Sequence, residues 1–347
     1  MTDSPLDDLY RKGRNGLHSR LTHPVGGLRK DSEAWIAGPA PLVLGCMNFG
    51  KRTPEAEARR IIDVAFERGI RHFDTANAYV DGVSETIVGK ALGARRSDVH
   101  IATKVGVWRR EGLTPERVRA ALDESLARLA MDQVDVYYLH LPDRDTPIEA
   151  TLEGVRDVLA SGKARHFGIS NFASWQALEV LLCCDRIGIE RPVVSQQIYN
   201  LLIRQLDLEY LRFARKYQLH TTVYNPLAGG LLTDRVGAPA ESGTTPALGA
   251  RFDKNPLYQR RYLSHVFFDA ARAFAELARD LPGGLVTLAY AWLARRPGVD
   301  SILVGPGTVA HLEAALDAVA VELPDTLLKA VDEIHRALVG TDTSYAR

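Results

Sequence analysis

Four side chains that could move a proton stand after consecutive apolar runs of the sequence. Asp74 closes the run "RHFD" and Tyr79 follows it, while Lys104 stands near the end of "HIATKV" and His140 at the end of "VYYLH". Singly, each residue type has a structural explanation, as a helix cap, a snorkelling lysine or a packing residue. Together, a carboxylate, a phenol, an ammonium and an imidazole predict acid–base chemistry at one site.

The electrostatics of these groups suggest how they would work together. An ammonium in an apolar setting needs a neutralising carboxylate, and Asp74 is placed to serve Lys104. A charged Lys104 beside Tyr79 would lower the pKa of the phenol and make it a better acid near neutral pH. His140 would bond an incoming carbonyl oxygen. Because none of these side chains is a reductant, reduction of that carbonyl requires a cofactor.

Alternating elements position these groups. From residue 42, short apolar runs alternate with segments of helical periodicity, eight times in all. Eight alternating units predict a single-domain α/β fold, the (β/α)8 TIM barrel, whose chemistry lies at the carboxyl ends of its strands. The barrel is expected over residues 36–347, after a flexible N-terminal extension at 1–35. The Pro- and Gly-rich break at 233–262 is too long for a connector and predicts a lid or binding loop.

Composition excludes several classes of function. Lys plus Arg and Asp plus Glu are 43 each among 347 residues, so no global charge favours nucleic acid or a membrane surface. Three cysteines, two of them adjacent as Cys183 and Cys184, form neither a disulfide framework nor a metal motif. No apolar run is long enough to span a membrane, and the acidic N-terminus does not resemble a secretory signal. We expect a cytoplasmic protein that binds a small molecule and no metal.

A resemblance to a known family rests on an ordered set of motifs. The sequence contains "FDTANAY", "ATKVG", "YYLHLPD", "GISNF", "QQIYN" and "SILVGPG" in that order. It resembles the aldo-keto reductase family from Leu42 to the C-terminus. The strings "LHLPDRDTPIEATLE" and "YNPLAGGLLT" look like the subfamily of aflatoxin aldehyde and succinic semialdehyde reductases. No G-x-G-x-x-G follows a strand, consistent with nicotinamide binding that does not use a Rossmann domain.

The resemblance implies NADP(H)-dependent reduction of aldehydes or ketones, with Tyr79 as the general acid. Asp74, Lys104 and His140 would then complete the catalytic set. Further positions would contact the cofactor: Met47, Ser170, Asn171, Gln196, Tyr224, Leu227, Gly229, Gly230, Gly305, Thr308 and His311. Glycines suit phosphate contact because backbone can approach closely. Caps, a core aromatic and a plain turn are the alternative structural explanations for Ser170 and Asn171, for Tyr224 and for the glycine pair.

The sequence departs from the family where the adenosine 2′-phosphate would bind. "GPGTVAHLEAAL" offers Gly307 without a side chain, and neither Ala314 nor Ala315 bonds adenine. Thr308 and His311 remain as candidates, beside an unfavourable Glu313. NADPH is the expectation of the family, and NADH stays open.

The substrate is the least defined partner. By position, Met47, Asn48, Trp108 and Tyr79 would line an apolar slot for a small or planar carbonyl compound. The resemblance to the aflatoxin aldehyde group implies that the terminal Arg347 would reach a substrate carboxylate, and a frayed terminal arginine is the alternative explanation. The alternatives are a biosynthetic ketoreductase or dehydrogenase acting on a sugar or secondary metabolite, and a cofactor-sensing regulatory subunit with little turnover. The subfamily resemblance also suggests a homodimer.

Overall fold

A closed barrel of eight parallel strands forms the centre of the molecule. The computed structural model describes residues 42–107, 110–233, 252 and 255–340. The strands are β1 Leu42–Gly45, β2 His72–Asp74, β3 His100–Val105, β4 Val134–Leu139, β5 Ala164–Ser170, β6 Val194–Ile198, β7 His220–Tyr224 and β8 Ser301–Val304. Each strand pairs with the next, and β1 pairs in parallel with β8 through Leu42 and Ile302. The predicted (β/α)8 barrel is confirmed.

Helices follow the strands on the outside of this barrel. Within the described residues they are α1 Glu55–Glu67, α2 Val83–Leu92, α3 Pro115–Leu129, α4 Ile148–Ala160, α5 Ser174–Ile187, α6 Tyr210–Tyr217, α7 Pro256–Tyr262, α8 His265–Leu277, α9 Gly284–Ala294, α10 Val309–Ala320 and α11 Asp325–Val339. Short 3₁₀ segments cover Tyr79–Gly82, Gly93–Asp98, Gln205–Asp207 and Ala228–Gly230. None of the helices in the described ranges is long and apolar enough to cross a membrane.

Apolar spacing in the sequence explains these elements. In α1 the buried residues Ala58, Ile61, Ile62 and Ala65 recur at three-and-four spacing, which places them on the face against the barrel. All six residues of β4 are buried, because its strand has side chains inside the barrel on one face and helices on the other. The side chain of Tyr137 points out of the barrel towards α3, where its hydroxyl donates to the Val118 carbonyl oxygen at 2.9 Å.

Hydroxyl side chains near the starts of three helices have different roles. Thr114 caps α3, accepting a hydrogen bond from Arg117 N. Thr53 does not cap α1; its buried hydroxyl donates to the Gly307 carbonyl oxygen at 3.2 Å. Ser84 likewise lies inside α2 and donates to the Cys46 carbonyl oxygen at 2.9 Å. Both hydroxyls therefore hold the outer elements to the carboxyl end of the barrel.

Gly89 is required by helix packing, although in sequence it looks like a mild interruption of α2. A Cβ atom placed there would lie 2.1 Å from the Leu129 carbonyl oxygen at the end of α3. That obstacle is backbone, so it yields only if the two helices separate.

We expect Gly89→Ala to lower the free energy of unfolding by about 2 kcal/mol or more, the usual range for overpacking. Gly93→Ala is the matched control, because nothing lies within 4 Å of its added methyl and its φ of −48° and ψ of −49° are helical. The control should change stability by at most about 1 kcal/mol. Urea denaturation measures both, and equal stabilities would contradict the packing explanation.

Part of the predicted loop at 233–262 is described. Helix α7 lies in it, and its Tyr258 packs so closely on the connection after β7 that a Cβ atom at Gly229 would lie 2.8 Å from the Tyr258 ring. Tyr262 accepts a hydrogen bond from Asn225 Nδ2 at 2.6 Å. The loop therefore contacts the carboxyl end of the barrel through α7. The predicted extension at 1–35 and most of 234–254 lie outside the described residues.

Candidate active site

A fully buried ion pair lies at the carboxyl end of the barrel. Lys104 Nζ donates to Asp74 Oδ1 on the neighbouring strand, and both side chains are almost completely enclosed. The ammonium also donates to the Thr75 carbonyl oxygen at 2.7 Å and to Tyr79 Oη at 3.4 Å. Three acceptors match its three N–H donors. The predicted neutralisation of Lys104 by Asp74 is confirmed.

Tyr79 begins a backbone turn of unusual conformation. The two residues after it, Val80 and Asp81, both have φ of 52°, and Gly82 has φ of 87°. A positive φ at a β-branched residue is an outlier that only a rigid surrounding maintains. Gly82 supplies part of that surrounding, because a Cβ atom there would lie 2.5 Å from Arg128 Cδ. The turn that aims the phenol at Lys104 is therefore held by packing.

A second buried carboxylate holds the segment that follows this turn. Glu85, in the first turn of α2, is fully buried. Its Oε2 accepts from Arg128 Nε at 2.5 Å, and its Oε1 accepts from the Thr103 hydroxyl at 2.5 Å. Thr103 directly precedes Lys104, so Glu85 links the helix behind Tyr79 to the strand that carries the ammonium. The sequence prediction missed this link.

His140 lies beside Tyr79 at the end of β4. The two rings meet edge to face with centroids 5.9 Å apart. His140 Nδ1 is buried and has no hydrogen-bond partner within the described part of the chain. An unsatisfied buried nitrogen is costly, typically about 1–3 kcal/mol, and tends to mark a position that a ligand fills. The residue as a whole is only half-buried, so part of its ring stays accessible beside the Tyr79 phenol.

Burial, rather than the neighbouring ammonium, dominates the acidity of these groups. Burial, and secondarily the charge of Asp74, hold the pKa of Tyr79 well above its ordinary value of 10.0. The prediction that Lys104 lowers this pKa is wrong, because desolvation of the phenolate is the larger effect. Burial raises the pKa of Asp74 and lowers that of Lys104, while their mutual attraction opposes both changes. Burial, with Lys104, holds the pKa of His140 well below 6.5.

These directions predict a flat pH profile for proton donation by Tyr79. The acid form of the phenol is lost only as pH rises through its elevated pKa, and the neutral imidazole of His140 persists down to pH values well below 6.5. We therefore expect kcat for carbonyl reduction to vary by less than about threefold between about pH 6 and about pH 9. Steady-state rates across that range provide the measurement. An alkaline loss centred below about pH 8 would contradict the assignment of an elevated Tyr79 pKa.

A connected set of polar side chains continues the site around the barrel mouth. Ser170 Oγ donates to the Gln196 carbonyl oxygen at 2.9 Å, and Gln196 Nε2 donates across the barrel to Asp74 Oδ2 at 2.9 Å. Asn171 Nδ2 donates to the His140 carbonyl oxygen and to Ser170 Oγ, both at 2.9 Å. Tyr224 Oη donates to Asn171 Oδ1 at 2.7 Å. The structure thus brings together predicted cofactor contacts from three strands and links them to the acid–base group.

The remaining bonding capacity of this set suits a carboxamide such as that of nicotinamide. Both N–H donors of Asn171 are used internally, which leaves Asn171 Oδ1 and Ser170 Oγ as acceptors for an amide N–H. Gln196 is held beside them by its bond to Asp74. Three hydrogen bonds hold the Asn171 amide in place at the end of β5. The residues present therefore fit the ring end of a nicotinamide cofactor.

Two loops extend from this set along the barrel mouth. After β7, Asn225 Oδ1 accepts from Gly229 N at 2.8 Å, and the positive φ values of Gly229 and Gly230 shape a glycine turn beside half-buried Leu227. After β8, Gly305 and Thr308 are exposed, and so is His311. The cofactor contacts of these positions remain predictions.

The predicted substrate contacts differ in burial, and two of them lie outside the described residues. Met47 is half-buried in the turn after β1. Asn48 is buried, and its Nδ2 donates to the Gly305 carbonyl oxygen at 3.1 Å, so its amide joins the loops after β1 and β8. Trp108 and Arg347 lie outside the described residues. Glu111 was not predicted, yet its Oε1 accepts from Asn77 Nδ2 and from Gly106 N, both at 2.8 Å, and orders the loop after β3.

Metal ligands and reactive thiols are not features of the described site. Across residues 42–107, 110–233, 252 and 255–340, no group of three or more His, Cys, Asp or Glu side chains is arranged to hold a metal. Cys46, Cys183 and Cys184 are free and buried. Burial raises the pKa of the Cys46 thiol, which keeps it protonated beside Asp74.

Comparison with known proteins agrees with this geometry. The model of the Aldo/keto reductase family matches residues 41–336. "Aflatoxin B1 aldehyde reductase member 2" of Rattus norvegicus is 33% identical over 317 residues, covering 86% of this chain and 86% of that protein. The Homo sapiens protein of the same name is 35% identical over 324 residues, or 88% and 89%. "Probable voltage-gated potassium channel subunit beta" of Oryza sativa subsp. japonica is 32% identical over 297 residues, or 82% and 89%.

Proposed function

Because this chain belongs to the aldo/keto reductase family, we propose that it reduces aldehyde or ketone carbonyls to alcohols with a nicotinamide cofactor and with Tyr79 as the general acid. One observation carries the proposal: Lys104 Nζ contacts Asp74 and Tyr79 at once, at the carboxyl end of the barrel. An ion pair built only for stability has no need of a phenol at its open side.

When bound, a reduced nicotinamide would supply the hydride that the carbonyl carbon needs. His140 and Tyr79 hold the carbonyl oxygen, which becomes an alkoxide as the carbon is reduced. Because the phenol is protonated at neutral pH, Tyr79 gives its proton to that oxygen and the alcohol forms. Lys104, which donates to Tyr79 Oη, stabilises the phenolate left behind. Asp74 and Gln196 hold Lys104 in place and balance its charge.

The cofactor is proposed to lie with its carboxamide on Ser170, Asn171 and Gln196. Tyr224, fixed through its hydroxyl to Asn171, would stack on the ring, and Gly229 and Gly230 would face the pyrophosphate. The family resemblance favours NADPH, whereas the surroundings of Glu57, described below, favour NADH. A cytoplasmic homodimer stays a prediction.

The test is oxidation of NADH and NADPH by the full chain against a panel of aldehydes, ketones and keto-sugars. Loss of reduced-nicotinamide absorbance with matching alcohol formation supports the reductase. Preference for a keto-sugar over simple aldehydes would favour the biosynthetic alternative, which uses the same residues.

A regulatory role is the second candidate, favoured by the similarity to a protein named as a potassium channel subunit. It predicts tight cofactor binding with very slow turnover on every member of the panel. Sustained turnover on any simple aldehyde would exclude it as the main function.

A further inference from the structure

The first backbone N–H of α10 is already bound to a carboxylate of the protein. Val309 N donates to Glu57 Oε1 of α1 at 3.0 Å, across 252 residues of sequence. Two N–H positions further along, His311 N donates to the Thr308 hydroxyl at 3.3 Å. The N-terminus of a helix favours a negative group, through its unpaired N–H donors and its dipole. In this chain Glu57 is that group.

Glu57 is held in this position from several sides. Its Oε2 accepts from Arg60 Nη1 at 2.9 Å, so both carboxylate oxygens have partners, and the side chain is only 23% exposed. Thr53, just before α1, donates to the Gly307 carbonyl oxygen, and this bond fixes the distance between the starts of α1 and α10. The contact therefore follows from how the two helices are joined.

The arginines described around this carboxylate already have partners within the protein. Arg60 is paired with Glu57 itself, and Arg68 pairs with Asp317 at 3.4 Å. Arg52 Nη1 donates to Asn48 Oδ1 at 3.3 Å, which directs it to the loop after β1. Exposed Glu313 adds a second negative charge in α10.

We propose that Glu57 makes this protein select NADH over NADPH. The inference rests on the proposed function, which brings the adenosine end of the cofactor to Thr308 and His311. NADPH differs from NADH only by the 2′-phosphate of that adenosine, a group of about −1.5 to −2 charge. The first of those donors, Val309 N, is bound to Glu57, whose carboxylate disfavours a second negative group at the same position. The 2′-phosphate therefore does not fit the start of α10, while the nicotinamide end fits its own site.

Equilibrium binding tests this selection without depending on turnover. Fluorescence titration of the full-length protein with NADH and with NADPH should give a Kd at least tenfold lower for NADH. Glu57→Gln removes the charge but keeps an amide oxygen that can accept from Val309 N. It should lower the Kd for NADPH at least fivefold and leave the Kd for NADH within twofold.

Glu55→Gln is the matched control, because Glu55 lies in the same turn of α1, is 45% exposed and pairs only with neighbouring surface cations. It should move neither Kd by more than twofold. Tighter binding of NADPH by the wild type, or equal changes for both cofactors in Glu57→Gln, would overturn the inference and leave the proposed function standing. If neither cofactor binds, both the proposed function and this inference are contradicted.

Discussion

Tyr79→Phe is expected to lower kcat for carbonyl reduction by about 10²- to 10⁴-fold, the usual contribution of a general acid. The change removes one hydroxyl and leaves the ring in its place against His140. Since the contact from Lys104 Nζ to Tyr79 Oη is long, at 3.4 Å, and the ammonium keeps its bonds to Asp74 and Thr75, the fold and the Kd of the cofactor should be retained. Steady-state kinetics and fluorescence titration measure these two quantities.

Tyr137→Phe is the matched control for this variant. It removes the same atom from another buried tyrosine, whose hydroxyl faces α3 on the outside of the barrel. We expect a loss of about 1 kcal/mol in stability and a kcat within about twofold of the wild type. A Tyr79→Phe protein as active as this control would exclude Tyr79 as the acid.

Breaking the buried ion pair should have the largest effect on stability. Asp74→Asn leaves the Lys104 ammonium buried without its counter-ion, and Lys104→Met leaves the Asp74 carboxylate in the same position. Each single change is expected to cost about 3–5 kcal/mol in the free energy of unfolding and to abolish reduction. Denaturant titration measures the first effect and cofactor oxidation the second.

The double variant Asp74→Asn with Lys104→Met separates stability from catalysis. It buries no unpaired charge, so it should be more stable than either single variant by at least about 1 kcal/mol, yet it should stay inactive. The same two changes at the surface pair Asp123 and Lys163, which are 55% and 45% exposed, should each cost at most about 1 kcal/mol. If the stability losses of the two single variants simply add in the double variant, Asp74 and Lys104 are not a coupled, buried pair.

Local sequence patterns were sufficient to predict the barrel and the grouping of four polar side chains at its carboxyl end. Strands and helices follow from apolar spacing, and the parallel alternation determines which strand ends face the same side. That rule alone brings Asp74, Lys104 and His140 together, and Tyr79 follows because the turn after β2 is short. These predictions depend on periodicity and order, which a single sequence contains.

Contacts that depend on how helices pack against each other were not predictable in the same way. Glu57 reaches Val309 N only because the Thr53–Gly307 hydrogen bond holds the segment before α1 against the loop after β8. Gln196 reaches Asp74 from the opposite side of the barrel. Gly89 lies within a regular helix, and the requirement for glycine there comes only from the close approach of the end of α3. The pKa of Tyr79 was predicted in the wrong direction because proximity to Lys104 is visible in sequence order, whereas the depth of burial is not.

Transfer of deuterium from a cofactor labelled at C4 is the most direct test of carbonyl reduction. The full-length protein is incubated with 4-nitrobenzaldehyde or succinic semialdehyde and, separately, with each of the two C4-deuterated forms of the reduced cofactor. In the proposed binding mode, Ser170, Asn171 and Gln196 hold the carboxamide and thereby present one face of the ring to the substrate. Mass spectrometry should therefore find one deuterium on the alcohol carbon with only one of the two forms. Alcohol without deuterium from either form, or no alcohol while the cofactor binds tightly, would contradict the account.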